Sequence, residues 1–498
     1  MRRLLTVLSL GTLGLMATSA IASIAQSVPT PEDVADAALA AYTHDFYGGR
    51  YERALTDIQN VKVDSDNTEA VALLAALRAS ALLCLKRNSE ADPLIAQVRK
   101  IDWQDPEPDK ALFLGGVFSD RIDVAADALN HMIARYPDAA RDLNSGPVDY
   151  YFSKAPPGQA TDDQWIALAK LGYGGDTETG HYFTFKGVKL LAQRGDIAGA
   201  RSLINYVAEP AQIEDLLVMK RFAALWPDAA EVAGPHLSKI GNALVQSAQR
   251  RVDQAPDNEY ALQNLARALQ STGRLDDAIA LKAKLPQTSA EMAKADEQTG
   301  WLVDNVAEAM HAAGDWKGAD RLFELLNDAP IPNEDWRVNM KINRLGLLIE
   351  DGRFDRALPL IEPTAQTDGS DYAKQVVRVF RYRTYIGLGR AGEAAGLLPE
   401  VLAHAKDAYA ATIDGLLCGA QFDTAEKVAL QALAADKDGT FAEDFVLGLQ
   451  VAPLDFDTSS DFTKRWAEFR KRPAIAAAFD RLGRDMPAEF LPQIVGTK

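Results

Sequence analysis

The residue types that most often do chemistry are present in this chain but thinly spread. Six histidines, His44, His131, His181, His236, His311 and His404, stand singly. None has the i, i+4 partner that would set two imidazoles on one helical face for zinc. Asp455-x-Asp457-x-Ser459 opens like a calcium loop, yet Ser460 stands where the sharp turn needs Gly and Trp466 where a bidentate Glu belongs. Solvation and helix capping account for those carboxylates, and for Asp64 to Glu69 ahead of the next helical pattern. There is no Gly-x-Ser-x-Gly elbow, no Ser-x-x-Lys with its companion motifs and no phosphate-binding Gly-rich loop. The reading is of a protein with no metal, no cofactor and no catalytic residue of these kinds.

Two constellations could bind rather than react. Tyr150, Tyr151, Phe152, Trp165, Tyr173, His181, Tyr182, Phe183 and Phe185 crowd into one segment. Flat rings with polar tips suit a sugar or an extended peptide, which would make Tyr150, Tyr151, Trp165, Tyr173, His181 and Tyr182 ligand-binding residues. The alternative is that bulky side chains fill an irregular core. Within Lys374 to Arg383, Lys374, Arg378 and Arg381 fall on one helical face. Arg378 and Arg381 would grip a carboxylate or acidic tail in bidentate fashion, or else form a solvated face paired with neighbouring Asp and Glu.

At 498 residues, 47% hydrophobic and 25% charged, the chain has apolar material for more than one ordinary core, since single cores stop growing near ~250–300 residues. The formal charge of −17 falls to −19 if Arg2 and Arg3 are lost, a balance that disfavours nucleic acid and anionic lipid as partners. Met1-Arg2-Arg3, the apolar run Leu4 to Ala17 and the small residues Thr18 to Ala22 read as a secretory signal peptide, cleaved after Ala22 or Ala25. An uncleaved anchor is the rival reading. No Cys follows the run, so a lipoprotein anchor is unsupported, and no later run approaches the ~20 apolar residues of a membrane span. The expected location is periplasmic or secreted. Cys84 and Cys418 each sit in an apolar helical pattern and read as buried free thiols, with a disulfide the alternative.

What positions these residues is a recurring phrase, Gly-x-apolar-x-x-Ala, set between helical patterns. It occurs at Gly49 to Ala54, Gly195 to Ala200, Gly273 to Ala278, Gly314 to Ala319, Gly352 to Ala357 and Gly389 to Ala394. At Ala91, Ala125 and Ala425 the Ala remains and the Gly is gone. Ahead of Gly273 stand Leu262, Leu265, Ala266 and Leu269, and ahead of Gly314 Val303, Val306, Ala307 and Met310, each set at i, i+3, i+4, i+7. A helix, a tight turn and a second helix are implied, with the Ala allowing close packing. From Ala54 the steps to Ala91 and Ala125 are 37 and 34 residues, the size of a helix pair. Steps of 75 to Ala200 and 78 to Ala278 each hide a degenerate unit.

The phrase and its phasing resemble the tetratricopeptide repeat, in a divergent, exported form. The resemblance implies an all-α fold, a right-handed α-solenoid of antiparallel helix pairs whose grooved face holds a peptide or a partner helix. The expected organisation is a signal peptide (1–22), a linker (23–32), N-terminal repeats (33–142), degenerate repeats with the aromatic insertion (143–255), central and C-terminal repeats (256–435) and capping helices (436–498). The functional expectation is an exported scaffold for a protein or peptide partner in the cell envelope. The alternatives are an envelope enzyme acting on cell-wall glycan, with Glu178 as its glutamate, or a solute-binding protein using the 143–185 aromatics.

Overall fold

The structure is a computed structural model that describes residues 31–491 except 60, 64, 330–335, 367–368, 438 and 451–460. The signal-peptide reading, most of the linker and the calcium-like Asp455 to Ser459 lie outside the described residues. All the regular elements described are helices, and the one β-bridge among them joins Met219 to Gly483. The fold is all-α.

The described residues form two compact units, 31–206 and 207–491. In the N-terminal unit the helices are α1 Pro31–Tyr47, α2 Tyr51–Gln59, α3 Thr68–Cys84, α4 Asn88–Val98, α5 Glu107–Phe118 and α6 Ile122–Arg135. They continue with α7 Pro137–Arg141, α8 Ser145–Lys154, α9 Gln159–Leu171, α10 Glu178–Gln193 and α11 Ile197–Ile204. The C-terminal unit opens with α12 Pro210–Val218, α13 Trp226–Ala233, α14 Ser238–Gln254, α15 Glu259–Ser271, α16 Leu275–Ala280 and α17 Ser289–Met292. Then come α18 Glu297–Ala312, α19 Trp316–Asp328, α20 Trp336–Glu350, α21 Phe354–Ala365, α22 Asp371–Gly387 and α23 Ala391–Ala403. It ends with α24 Tyr409–Cys418, α25 Phe422–Ala435, α26 Thr440–Gly448, α27 Asp461–Arg470 and α28 Pro473–Leu482.

Each recognised phrase is one turn of one kind. Gly49, Lys86, Asp120, Gly195, Gly273, Gly314, Gly352, Gly389 and Ala420 have φ between +54° and +88°. The next amide reaches back to a carbonyl in the last turn of the helix, as in Asp315 N–H to Met310 O and Arg353 N–H to Leu348 O, both 2.8 Å. This left-handed cap satisfies carbonyls the helix leaves open and reverses the chain. Five residues on, Ala54, Ala91, Ala125, Ala200, Ala278, Ala319, Ala357, Ala394 and Ala425 are at most 2% exposed. Any larger side chain there would push the second helix off the first.

Between Ala125 and Ala200 the repeat breaks into the short helices α7 and α8, then α9, which packs on α10. The segment after Asp436, expected from the sequence to cap the array, packs on the start of its own unit. Arg484 N–H donates to Val218 O (2.9 Å) and its Nε to Leu217 O (2.7 Å). Arg221 pairs with the buried Glu443, Lys220 donates to Asp480 O, and His236 Nδ1 lies 2.7 Å from Leu491 O. A buried carboxylate needs its cation, and Arg221, just after α12, supplies it to Glu443.

Candidate functional site

Most of the residues singled out from the sequence are taken up in packing. Tyr151 and Tyr173 are 1% exposed and His181 5%. Tyr151 Oη donates to Gln164 Oε1 at 2.6 Å, and His181 Nε2 lies 3.1 Å from Asp176 Oδ1. Trp165 is half-buried, with Phe152 and Phe183 at ring-centroid distances of 4.0 and 4.2 Å. Tyr150 Oη donates to Asp120 Oδ1 at 2.6 Å. Only Tyr182 stands well out, 51% exposed with an edge toward Trp165. The rings fill the interior where the repeat is irregular, the second of the two sequence readings. Arg378 donates to Glu400 (2.8 Å) and Arg381 pairs with Glu362 (2.7 Å), so both guanidiniums are engaged by glutamates of the adjoining helices. Cys84 and Cys418 are free thiols, and burial pushes Cys84 up to about 12, which makes it a poor nucleophile.

Two polar sites escaped sequence reasoning. In the N-terminal unit the fully buried Asp109 accepts from Arg99 (2.8 Å) and from Trp103 Nε1 (3.2 Å), and stands 2.6 Å from His131 Nδ1. It ties α5 to α6 and to the loop between α4 and α5. In sequence Asp109 is simply an acid in the first turn of a helix, and His131 one of the scattered histidines.

The second is a cleft in the C-terminal unit where α18, α19 and α20 meet, lined by His311, Trp316, Asp320, Phe323, Arg344, Leu347 and Asp351 among others. It forms where two successive repeat turns adjoin. Trp316 follows Gly314 and Arg353 follows Gly352, and the Arg353 guanidinium lies over the Trp316 ring at 3.9 Å. Deeper in, buried Asp320 takes Arg344 Nε at 2.8 Å and also Arg356, while Glu324 takes Arg344 (3.1 Å) and Arg356 (2.8 Å). The His311 side chain is 8% exposed, and neither ring nitrogen has a hydrogen-bond partner; Asp351 Oδ1 is 3.6 Å from Nε2. Arg353 Nε is likewise unpaired, 3.5 Å from Asp351 Oδ2.

Incomplete hydrogen bonding extends along the first helices of this unit. Asn264 Nδ2 on α15, Asn343 Oδ1 on α20, and Gln375 Oε1 and Thr384 Oγ1 on α22 are buried without a partner in the chain. Asn264, Asn305 and Asn343 each stand nine residues ahead of the turn glycine of their unit. On α24, burial pushes Asp414 up to about 6 against the pull of Arg383 and of Trp466 Nε1, which donates to it at 3.1 Å. Among the described residues no group of three potential metal ligands comes together, and no helix is long and apolar enough to cross a membrane.

No family model matches the sequence, and no curated protein does. Among solved structures the chain is similar to that of Naa15/Naa10 bound to HypK-THB, at 14% identity over 90% of this chain and 74% of that one, with a TM-score of 0.22.

Proposed function

We propose that this chain is an exported interaction scaffold that binds a protein or peptide partner in the cell envelope. The observation that carries the reading is the set of buried polar groups left without hydrogen-bond partners in the C-terminal unit. Hydrogen-bonding groups buried without partners on α15, α18, α20 and α22 cost about 1–3 kcal/mol each. A helix array that keeps them on successive first helices is suited to having a second molecule complete them. The N-terminal Met1 to Ala22 pattern supports export. The test is photo-crosslinking of the mature chain, with the crosslinker at Tyr260, Trp301 or Asn339 on the first helices and at control sites on α19 and α23. The expected result is a protein adduct from the first-helix positions alone. Adducts spread evenly over both sets, or none at any position, would overturn it.

A second reading, an envelope enzyme working through the 143–185 segment, is favoured by Asp149, whose carboxyl burial pushes up to about 6, the range of a general acid. The buried Tyr173 hydroxyl nearby has no hydrogen-bond partner. Release of soluble fragments from purified cell wall by the native chain, abolished by Asp149→Asn, would put this reading first.

A further inference from the structure

We propose that the cleft between α18, α19 and α20 is a socket for a side-chain hydroxyl, a serine or threonine of the bound partner; this rests on the scaffold reading above. Charge balance is the first argument. The carboxylates Asp320, Glu324 and Asp351 are matched by the guanidiniums Arg344, Arg353 and Arg356, so no net ionic valence remains for an acidic or basic ligand.

What remains is hydrogen-bonding valence. A neutral imidazole offers one donor and one acceptor, and both His311 nitrogens are buried and unpaired, as is the Arg353 Nε donor. Asp351 stands 3.5 and 3.6 Å from these groups, beyond a good hydrogen bond by about half an ångström. A single hydroxyl oxygen set beside Asp351 would donate to that carboxylate and accept from His311 Nε2–H and Arg353 Nε–H, meeting three of the open positions and leaving His311 Nδ1. Size points the same way. The free space in this partly open cleft is about 10 Å³, roughly one water, which suits a hydroxyl. Phe323 and Leu347 wall the rest and suit the methyl or methylene that carries the hydroxyl. A water could stand in the same place, and a partner hydroxyl that replaces it keeps the one donor and two acceptor sites these groups call for.

The test uses the full mature chain and a random twelve-residue peptide library displayed on phage. Selected peptides are expected to share a Ser or Thr whose replacement by Ala weakens binding about ten-fold, the worth of one buried hydrogen-bonded group. With His311→Leu the native peptide should bind about ten-fold more weakly, and the Ser or Thr to Ala change should then have no further effect. Leu347→Phe, which fills the cleft with His311 in place, should act like His311→Leu; a thermal melt of each variant confirms folding, and either folded variant suffices for the comparison. Peptides that bind both variants as well as the native chain, or that anchor through an acidic or basic residue, would overturn the socket and leave the scaffold standing. Failure to select any peptide overturns both.

Discussion

The two units share one turn and differ in what their helices bury against each other. In the N-terminal unit the interface of α3 with α5 is small and apolar. A Cβ on Gly115 would meet Ser80 Cα at 2.6 Å, and Ala72, Ala76 and Ala79 are fully buried beside Leu112 and Phe113. Ser80 Oγ reaches Ala76 O and Ala111 O, and Asp109 serves three donors, while Asp57, Arg78, Arg99 and Tyr173 each keep a buried atom without a hydrogen-bond partner. In the C-terminal unit the corresponding first helices carry Asn264, His311, Asn343, Gln375 and Thr384 with buried atoms that have no hydrogen-bond partner in the chain. One turn chemistry therefore supports two kinds of interior. The N-terminal interface rests on small apolar residues with Ser80 and Asp109 bonded at its centre, while the first helices of the C-terminal unit carry a longer run of unmet hydrogen-bonding atoms, and that unit brings its last helices back to its first.

That contrast breaks most visibly at Asp109. Removing one partner of a buried charged cluster leaves the rest uncompensated and costs about 3–5 kcal/mol. Asp109→Ala should lower the unfolding free energy of the N-terminal unit by that amount, read as lost amide-exchange protection in α5 and α6 with the C-terminal unit unchanged. An effect below ~1 kcal/mol would mean that the cluster is not what holds this unit.

Turn substitutions come next. Gly314 has φ +88°, and a Cβ there would have nothing within 4 Å, so Gly314→Ala isolates backbone strain and should cost about 1–2 kcal/mol. Ala420 occupies the same left-handed place at φ +54°, and Ala420→Gly should recover up to ~1 kcal/mol, less the added entropy of an unfolded glycine. Opposite signs at two copies of one turn, seen by denaturant unfolding, would confirm that the cap rather than the glycine defines the repeat.

Much of the fold was legible because that cap is local. Helical spacing, a left-handed residue and an alanine five positions on can all be read within a dozen residues, even at Lys86, Asp120 and Ala420, where the glycine is gone. The return of the C-terminus was not, since Arg221 meeting Glu443 and Arg484 meeting Val218 join residues more than two hundred apart with no local signature. The cleft was missed for a related reason. His311 and Trp316 were in view as a lone histidine and a turn residue, but their unmet valence arises only where the Gly314 and Gly352 turns come side by side. The aromatic segment left two readings open, because ring count does not say whether rings face water or one another.

The contrast between the two interiors sharpens with polar-to-apolar replacements. Ser80→Ala removes a group with two acceptors and should cost about 1 kcal/mol. Asn343→Leu removes an amide whose Oδ1 is unmet, in similar volume, and should fall within ~0.5 kcal/mol of neutral or stabilise. Equal losses at both sites would mean that the C-terminal interior is as well satisfied as the N-terminal one.

The smallest effect lies between α15 and α18. Burial raises the Glu259 carboxyl, and its hydrogen bond to Asp296 and that group's charge raise it further. A group whose folded pKa exceeds its unfolded value of ~4.3 stabilises fully below that value and loses the contribution as pH rises through the folded one. Above that range the two carboxylates face each other ionised. Glu259→Gln keeps the hydrogen-bonding shape of the protonated acid, so it should raise the melting temperature of the C-terminal unit slightly at pH 7.5 and leave it unchanged near pH 4. Because both side chains are largely solvent-exposed, screening keeps the gain small and salt should shrink it. A gain that persists at pH 4 would trace the effect to packing and remove like-charge repulsion from the account of how these first helices meet.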